Sequence, residues 1–143
     1  MKVVIASDHG GFKAKKEVID QMKDIQFIDV GCFSEDSCNY AEFGLKAAEM
    51  VSSKEADFGV LICSSGEGIS IAANKVKNVR CGIAYNDEVA ALLRQHNDAN
   101  MIAFGAKFMK VDEIVKRIRI FLSTPFEGGR HEKRVQTIKD YEK

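Results

Sequence analysis

Apolar residues fall along this chain in short continuous runs, with segments of helical rhythm between them. KVVIA, IQFIDV, FGVLIC, RCGIAY and NMIAFG are each rich in β-branched or aromatic residues and too short for buried helices, so they predict five strands. Phe12, Val18, Ile19 and Met22 recur at helical spacing, and Phe43, Leu45, Ala47, Ala48 and Val51 do so more loosely. Phe108, Val111, Ile114, Val115, Ile118, Phe121 and Leu122 trace a clear amphipathic face. A strand apolar along its whole length is covered on both faces, and alternating helices supply the cover. The pattern therefore predicts a doubly wound α/β fold, a Rossmann-like three-layer αβα sandwich with a five-stranded parallel sheet.

Nothing along the chain suggests a second domain. There is no internal repeat or low-complexity tract, Pro125 is the lone proline, and 143 residues suit one core, so residues 1–143 are expected to form a single domain. No apolar run approaches the ~18 residues that span a bilayer, and VVIAS after Met1-Lys2 is too short for a signal-peptide core. Lysine plus arginine equals aspartate plus glutamate at 21 each, which argues against nucleic acid or an anionic membrane as the main partner. Cys32, Cys38, Cys63 and Cys81 form no C-x-x-C pair and have no zinc-site spacing. Scattered thiols of this kind fit the cytoplasm, and no metal is expected.

In a sheet of this class ligands bind beyond the carboxyl ends of the strands. Attention falls on SDHGGF, CSSGEG, NDEVA and GAKF, which follow the first, third, fourth and fifth strands. The stretch LICSSGEGISIAANK, residues 61–75, is the most informative. Its glycine-rich strand-to-helix turn aims backbone N–H groups at one point, as a phosphate cradle does. Yet a P-loop needs Gly-Lys-Ser/Thr and Gly68 is followed by Ile69; a dinucleotide loop needs a third glycine where Ile71 stands. A cysteine phosphatase would need an arginine where Ile69 stands. Cys63 remains, facing a nest of amides that favour a thiolate, although a buried cysteine closing a strand is the plainer reading of that residue alone.

Three other clusters carry candidate chemistry. Asp8-His9 joins a carboxylate to an imidazole at the end of the first strand, suited to acid–base work or to a helix cap. His96-Asn97 closes a helix before the fifth strand, where a histidine is often only a favourable charge. Arg130 and Arg134 follow Gly128-Gly129 at i, i+4 on one helix face, a pairing that grips a phosphate or simply makes a solvated basic face. His131 falls elsewhere on that helix and is not expected to join them.

Taken together, ASDHGGF, CSSGEGISIAANK, RQHNDAN and FEGGRHEKRV resemble type B ribose-5-phosphate isomerases, in the wider family that includes allose- and galactose-6-phosphate isomerases. The match runs through nearly the whole chain in the family's order. The resemblance implies interconversion of ribose 5-phosphate and ribulose 5-phosphate through ring opening and a cis-enediolate, without cofactor or metal. It makes Cys63 the base, with Ser65, Asp8 and His96 assisting ring opening. Members lacking the cysteine use a glutamate where Ile69 stands, so the thiolate branch applies, and Glu67 is expected to face solvent. The amides of Gly66, Gly68, Ile69 and Ser70, with Asn97, would bind the enediolate. His9, Arg130 and Arg134 would hold the phosphate, with Lys107 where some members carry arginine, and Tyr40 would line the sugar pocket. The resemblance also implies a homodimer whose sites are shared, His96 and Asn97 coming from the partner, the C-terminal helix from about 130 packing at the dimer and active-site region, and dimers able to pair into tetramers. Three departures bear on substrate: Asn39-Tyr40-Ala41 replaces Asp-Tyr-Pro, Lys107 replaces an arginine, and Ser64-Ser65-Gly66 replaces Gly-Thr-Gly. A hexose 6-phosphate isomerase and a sugar-phosphate-binding protein without activity are the alternative readings.

Overall fold

The computed structural model describes residues 1–142. Its five strands are β1 (Lys2–Ser7), β2 (Gln26–Asp29), β3 (Phe58–Cys63), β4 (Cys81–Ile83) and β5 (Met101–Gly105). The helices are α1 (Phe12–Gln21), α2 (Tyr40–Ser52), α3 (Glu67–Ala73), α4 (Asp87–Gln95), α5 (Val111–Ser123) and α6 (Arg130–Tyr141). All pairings are parallel, in the order β2-β1-β3-β5-β4. The chain winds outward from β1 to β2, then returns to place β3 on β1's other side, so the topological switch lies between β1 and β3.

Although the strands are apolar throughout, their two-residue period still sorts them between two cores. Val3, Ile5, Val60, Ile62, Ile102 and Phe104 face a layer that includes Val18 of α1, Ala90 of α4 and Ile114, Ile118 and Phe121 of α5. Val4, Ala6, Leu61, Cys63, Met101 and Ala103 face Ala47, Ala48 and Val51 of α2 and Ile69 and Ala73 of α3. The last residue of β3 therefore turns its thiol toward α2 and α3. The edge strands β2 and β4 are shorter than the apolar runs that predicted them.

Two side chains leave the faces that periodicity assigned them. Phe108 precedes α5 and is 72% exposed, because the helix starts only at Val111 after the turn that follows β5. Leu45 is also exposed, and α2 buries Gly44, Ala47, Ala48 and Val51 instead. At Gly44 a Cβ would come within 3.0 Å of Ile69, so a small residue lets α2 lie close on α3.

Lys15 of α1 is fully buried. Its Nζ donates to Asp29 Oδ1 at 2.7 Å and to the Cys32 carbonyl at 2.5 Å. It thereby ties α1 to the segment after β2, which in turn exchanges backbone hydrogen bonds with Ser7 beside the end of β1.

Candidate active site

The turn from β3 into α3 is built by close backbone approach. Gly66 has φ 82°, in the left-handed region, and a Cβ there would lie 2.9 Å from the Phe104 carbonyl carbon. A Cβ on Gly105 would lie 2.5 Å from the Ser65 oxygen, so the ends of β3 and β5 are pressed together. Within this turn the Gly66 N–H donates to Cys63 Sγ at 3.1 Å. The bond points one N–H dipole of the turn at the sulfur. Cys63 itself is 5% exposed.

The four amides expected to bind an oxyanion divide in the structure. Gly66 N–H is given to the sulfur, and Ser70 N–H donates to the Gly66 carbonyl at 3.3 Å. Gly68 and Ile69, in the first turn of α3, keep N–H groups with no acceptor among the described residues. Ser65 Oγ accepts from the Glu67 N–H at 3.2 Å, and Ser70 Oγ donates to the Glu67 carbonyl at 2.8 Å. Glu67 is exposed, as expected, and the Ile69 side chain is core.

The loop after β1 stands beside this turn. Ser7 pairs with Ile62, so Asp8 and Cys63 are the next residues out on adjacent strands. Asp8 is buried; its Oδ1 accepts from Gly11 N–H at 3.1 Å and its own N–H donates to the Ile62 carbonyl. His9 Nδ1 accepts from the Cys38 N–H at 3.2 Å, which leaves the proton on Nε2 as a donor. Tyr40 lies against Gly68, where a Cβ would be 2.6 Å from the ring. Asn39 caps α2 through Ala41 N–H at 3.0 Å, so the change from aspartate keeps the cap. Lys107 follows β5 at the same edge; its side chain is exposed and its N–H donates to the Ser64 carbonyl at 3.1 Å.

The remaining candidates lie elsewhere. His96 caps the C-terminal end of α4, which runs back toward the amino ends of the strands. Glu127 N–H donates to the Gln95 carbonyl at 3.1 Å and Arg94 Nε to the Thr124 carbonyl at 3.2 Å, fastening the segment that leads into α6. His131 points away from the exposed arginines: it is 6% exposed and stacks on His96, with ring centroids 4.1 Å apart and planes 13° from parallel. Arg130 Nε lies 3.4 Å from His131 Nε2. Burial pushes the His131 imidazole below its ordinary range, and the neighbouring His96, Arg130 and Arg134 add to this while Glu127 opposes it. Both arginines are exposed and in no ion pair among the described residues.

Within one chain the candidate residues thus sit at opposite ends of the sheet. Cys63 pairs with Gly105 at the end of β5, whereas His96 and Asn97 precede Met101 at its start. The four residue steps between those ends span about 13 Å. No hydrogen bond, ion pair or ring contact joins the two groups among the described residues.

His96, Glu127 and His131 place possible metal-ligand atoms within 4.8 Å of one another. Nearly parallel rings set their lone pairs side by side rather than converging, and two guanidiniums flank them. The region suits an anion better than a cation. Asp87 of NDEVA, by contrast, is structural: it pairs with Arg117 at 3.1 Å and Lys116 at 2.9 Å, and their positive charge holds its carboxyl below the usual range.

A doubly wound α/β protein with a cysteine-bearing turn at its topological switch has close relatives. The family profile described as Ribose/Galactose Isomerase matches residues 3–138. Ribose-5-phosphate isomerase B of Escherichia coli is 36% identical over 139 residues, covering 96% of this chain and 93% of that protein. The solved structure of Clostridium thermocellum ribose-5-phosphate isomerase B superposes with TM-score 0.95 at 43% identity, covering 98% of this chain and 96% of that one. Ribose-5-phosphate isomerase B from Mycoplasma genitalium, solved with bound ribulose-5-phosphate, superposes with TM-score 0.92 at 36% identity, covering 99% of this chain and 95% of that one. The chain belongs to the ribose/galactose isomerase family.

Proposed function

We infer that this protein is an aldose–ketose isomerase that interconverts D-ribose 5-phosphate and D-ribulose 5-phosphate. The relatives named above support the substrate, and the Gly66 N–H on Cys63 Sγ at 3.1 Å is the observation that supports the chemistry. Asp8, Ser65 and His96 open the sugar ring by moving protons between the ring oxygen and the anomeric hydroxyl. The Cys63 thiolate then removes the C2 proton, and the electron pair forms a cis-enediolate across C1 and C2. The O2 proton passes to O1, and returning the carbon-bound proton to C1 then leaves a hydroxyl at C1 and the carbonyl at C2. The reaction moves protons only, so it calls for no redox cofactor.

The free amides of Gly68 and Ile69, aided by Asn97, bind the enediolate oxygen, and such preorganised donors contribute about 3 kcal/mol each. His9, Lys107, Arg130 and Arg134 hold the phosphate, and Tyr40 borders the sugar. Because a sheet's length separates His96 from Cys63 in one chain, the working site combines the turn of one subunit with the α4–α6 corner of another. The homodimer is the minimal active unit. Residues 1–143 act as one cytoplasmic domain, with α6 from about residue 130 at the shared site.

The test is turnover of ribose 5-phosphate and allose 6-phosphate by wild type and Cys63→Ala. Pentose turnover that the substitution nearly abolishes is expected. Full activity in Cys63→Ala removes the base, and turnover of the hexose alone removes the pentose substrate.

A further inference from the structure

Beyond the residues given roles above, one buried aromatic side chain touches the proposed ring-opening group. We propose that His131 is a positioning residue: its imidazole is a flat platform that fixes the ring plane of His96, so that His96 enters the partner subunit's site in one orientation. This rests on the reading of His96 as a group used in ring opening.

His96 is poorly restrained by its own backbone. It lies just past the last residue of α4, where helices fray, and its neighbour Asp98 has a positive φ of 46°. No hydrogen bond to its side chain occurs among the described residues. The restraint comes instead from the face-to-face contact with His131, at 4.1 Å and 13°.

The platform itself is anchored. His131 is 6% exposed, one turn before buried Val135, in a helix whose entry is held by Glu127 N–H on the Gln95 carbonyl. Glu127 Oε2 lies 3.9 Å from His131 Nε2, and Arg130 Nε approaches the same nitrogen at 3.4 Å. Those contacts are long, so the ring face rather than the ring nitrogens carries the proposed role. The stack also makes the start of α6 and the end of α4 one unit, which presents His96, Asn97, Arg130 and Arg134 together.

Replacing His131 by phenylalanine keeps a flat, buried ring, whereas leucine keeps apolar volume without a flat face. Kinetics on ribose 5-phosphate should show His131→Phe near wild-type kcat and His131→Leu with kcat lower by about tenfold and KM changed much less. Thermal unfolding of both variants, compared with wild type, separates this split from loss of fold. Equal kcat in the phenylalanine and leucine variants overturns the platform, whether both are active or both impaired. His96→Ala, measured alongside, keeps the two ideas apart. If it retains wild-type turnover, the reading of His96 fails and the platform with it; if it is impaired while phenylalanine equals leucine, only the platform fails.

Discussion

The two ends of this sheet solve the same problem with different means. At the carboxyl end, the Cys63 turn is fixed by backbone: Gly66 and Gly105 allow strand ends to touch, and Ala106 and Lys107 donate to the Cys63 and Ser64 carbonyls. At the amino end, His96, Arg130 and Arg134 are side chains on helix surfaces, held by one ring stack and a few hydrogen bonds. On the proposed reading, Cys63 as base and the amides facing the charge it creates need sub-ångström placement, which close-packed backbone supplies. A phosphate clamp, the role proposed for the two arginines, tolerates longer, adjustable arms.

The largest effect should come from breaking the first end. Cys63→Ala should lower kcat by about 10³-fold or more, since proton abstraction at C2 loses its base while the amides stay in place. Stopped assays on ribose 5-phosphate measure it, and a loss smaller than tenfold contradicts the role of Cys63.

Mixing the two ends across chains sharpens the comparison. Cys63→Ala and His96→Ala proteins should each be nearly inactive, yet unfolding and refolding them together should recover about a quarter of wild-type activity. Half of the randomly assembled dimers are mixed, and each of these has one intact site. Recovery no greater than the sum of the separate proteins means the ends are not shared between subunits.

Lys15→Ala attacks the support of the carboxyl end. It leaves the Asp29 carboxylate without its buried ammonium and should cost about 3 kcal/mol of stability in denaturant titration. Arg134→Ala acts on the other end and should raise KM for ribose 5-phosphate about tenfold with little change in kcat, as for an interaction made equally in ground and transition states.

The smallest effect is a pH dependence. His131 has a depressed pKa when folded, so the native state resists its protonation while the unfolded chain takes up that proton near pH 6.5. Its contribution is therefore intact above about pH 6.5 and declines as the pH falls through the folded value. His131→Phe should flatten that part of the stability profile in thermal melts between pH 5 and 8.

Much of the carboxyl end was legible in the residues. Five apolar runs became five parallel strands, and the rule that ligands gather past strand ends pointed at Asp8 and Cys63. The bond from Gly66 to sulfur was not legible, since it depends on a left-handed φ and on contact with β5. At the amino end the same rule points away from His96, a candidate by residue type whose role comes only from the family resemblance. Helical spacing separates His131 from Arg130 and Arg134 on their own helix, and its burial beside the two exposed arginines agrees with that. Spacing on one helix says nothing about what packs against it, and the ring that touches His131 is 35 positions earlier in the chain.

Period and composition by themselves determined the class of fold, the strand set and the turn that carries the thiol, because those follow from local rules of burial and backbone freedom. Which face of β3 presents Cys63, which amides remain free for an anion, and the stacking of His131 on His96 were decided only by the tertiary structure. Each depends on register or on contacts between segments far apart in the chain, where the outcome is set by packing rather than by the neighbours in sequence.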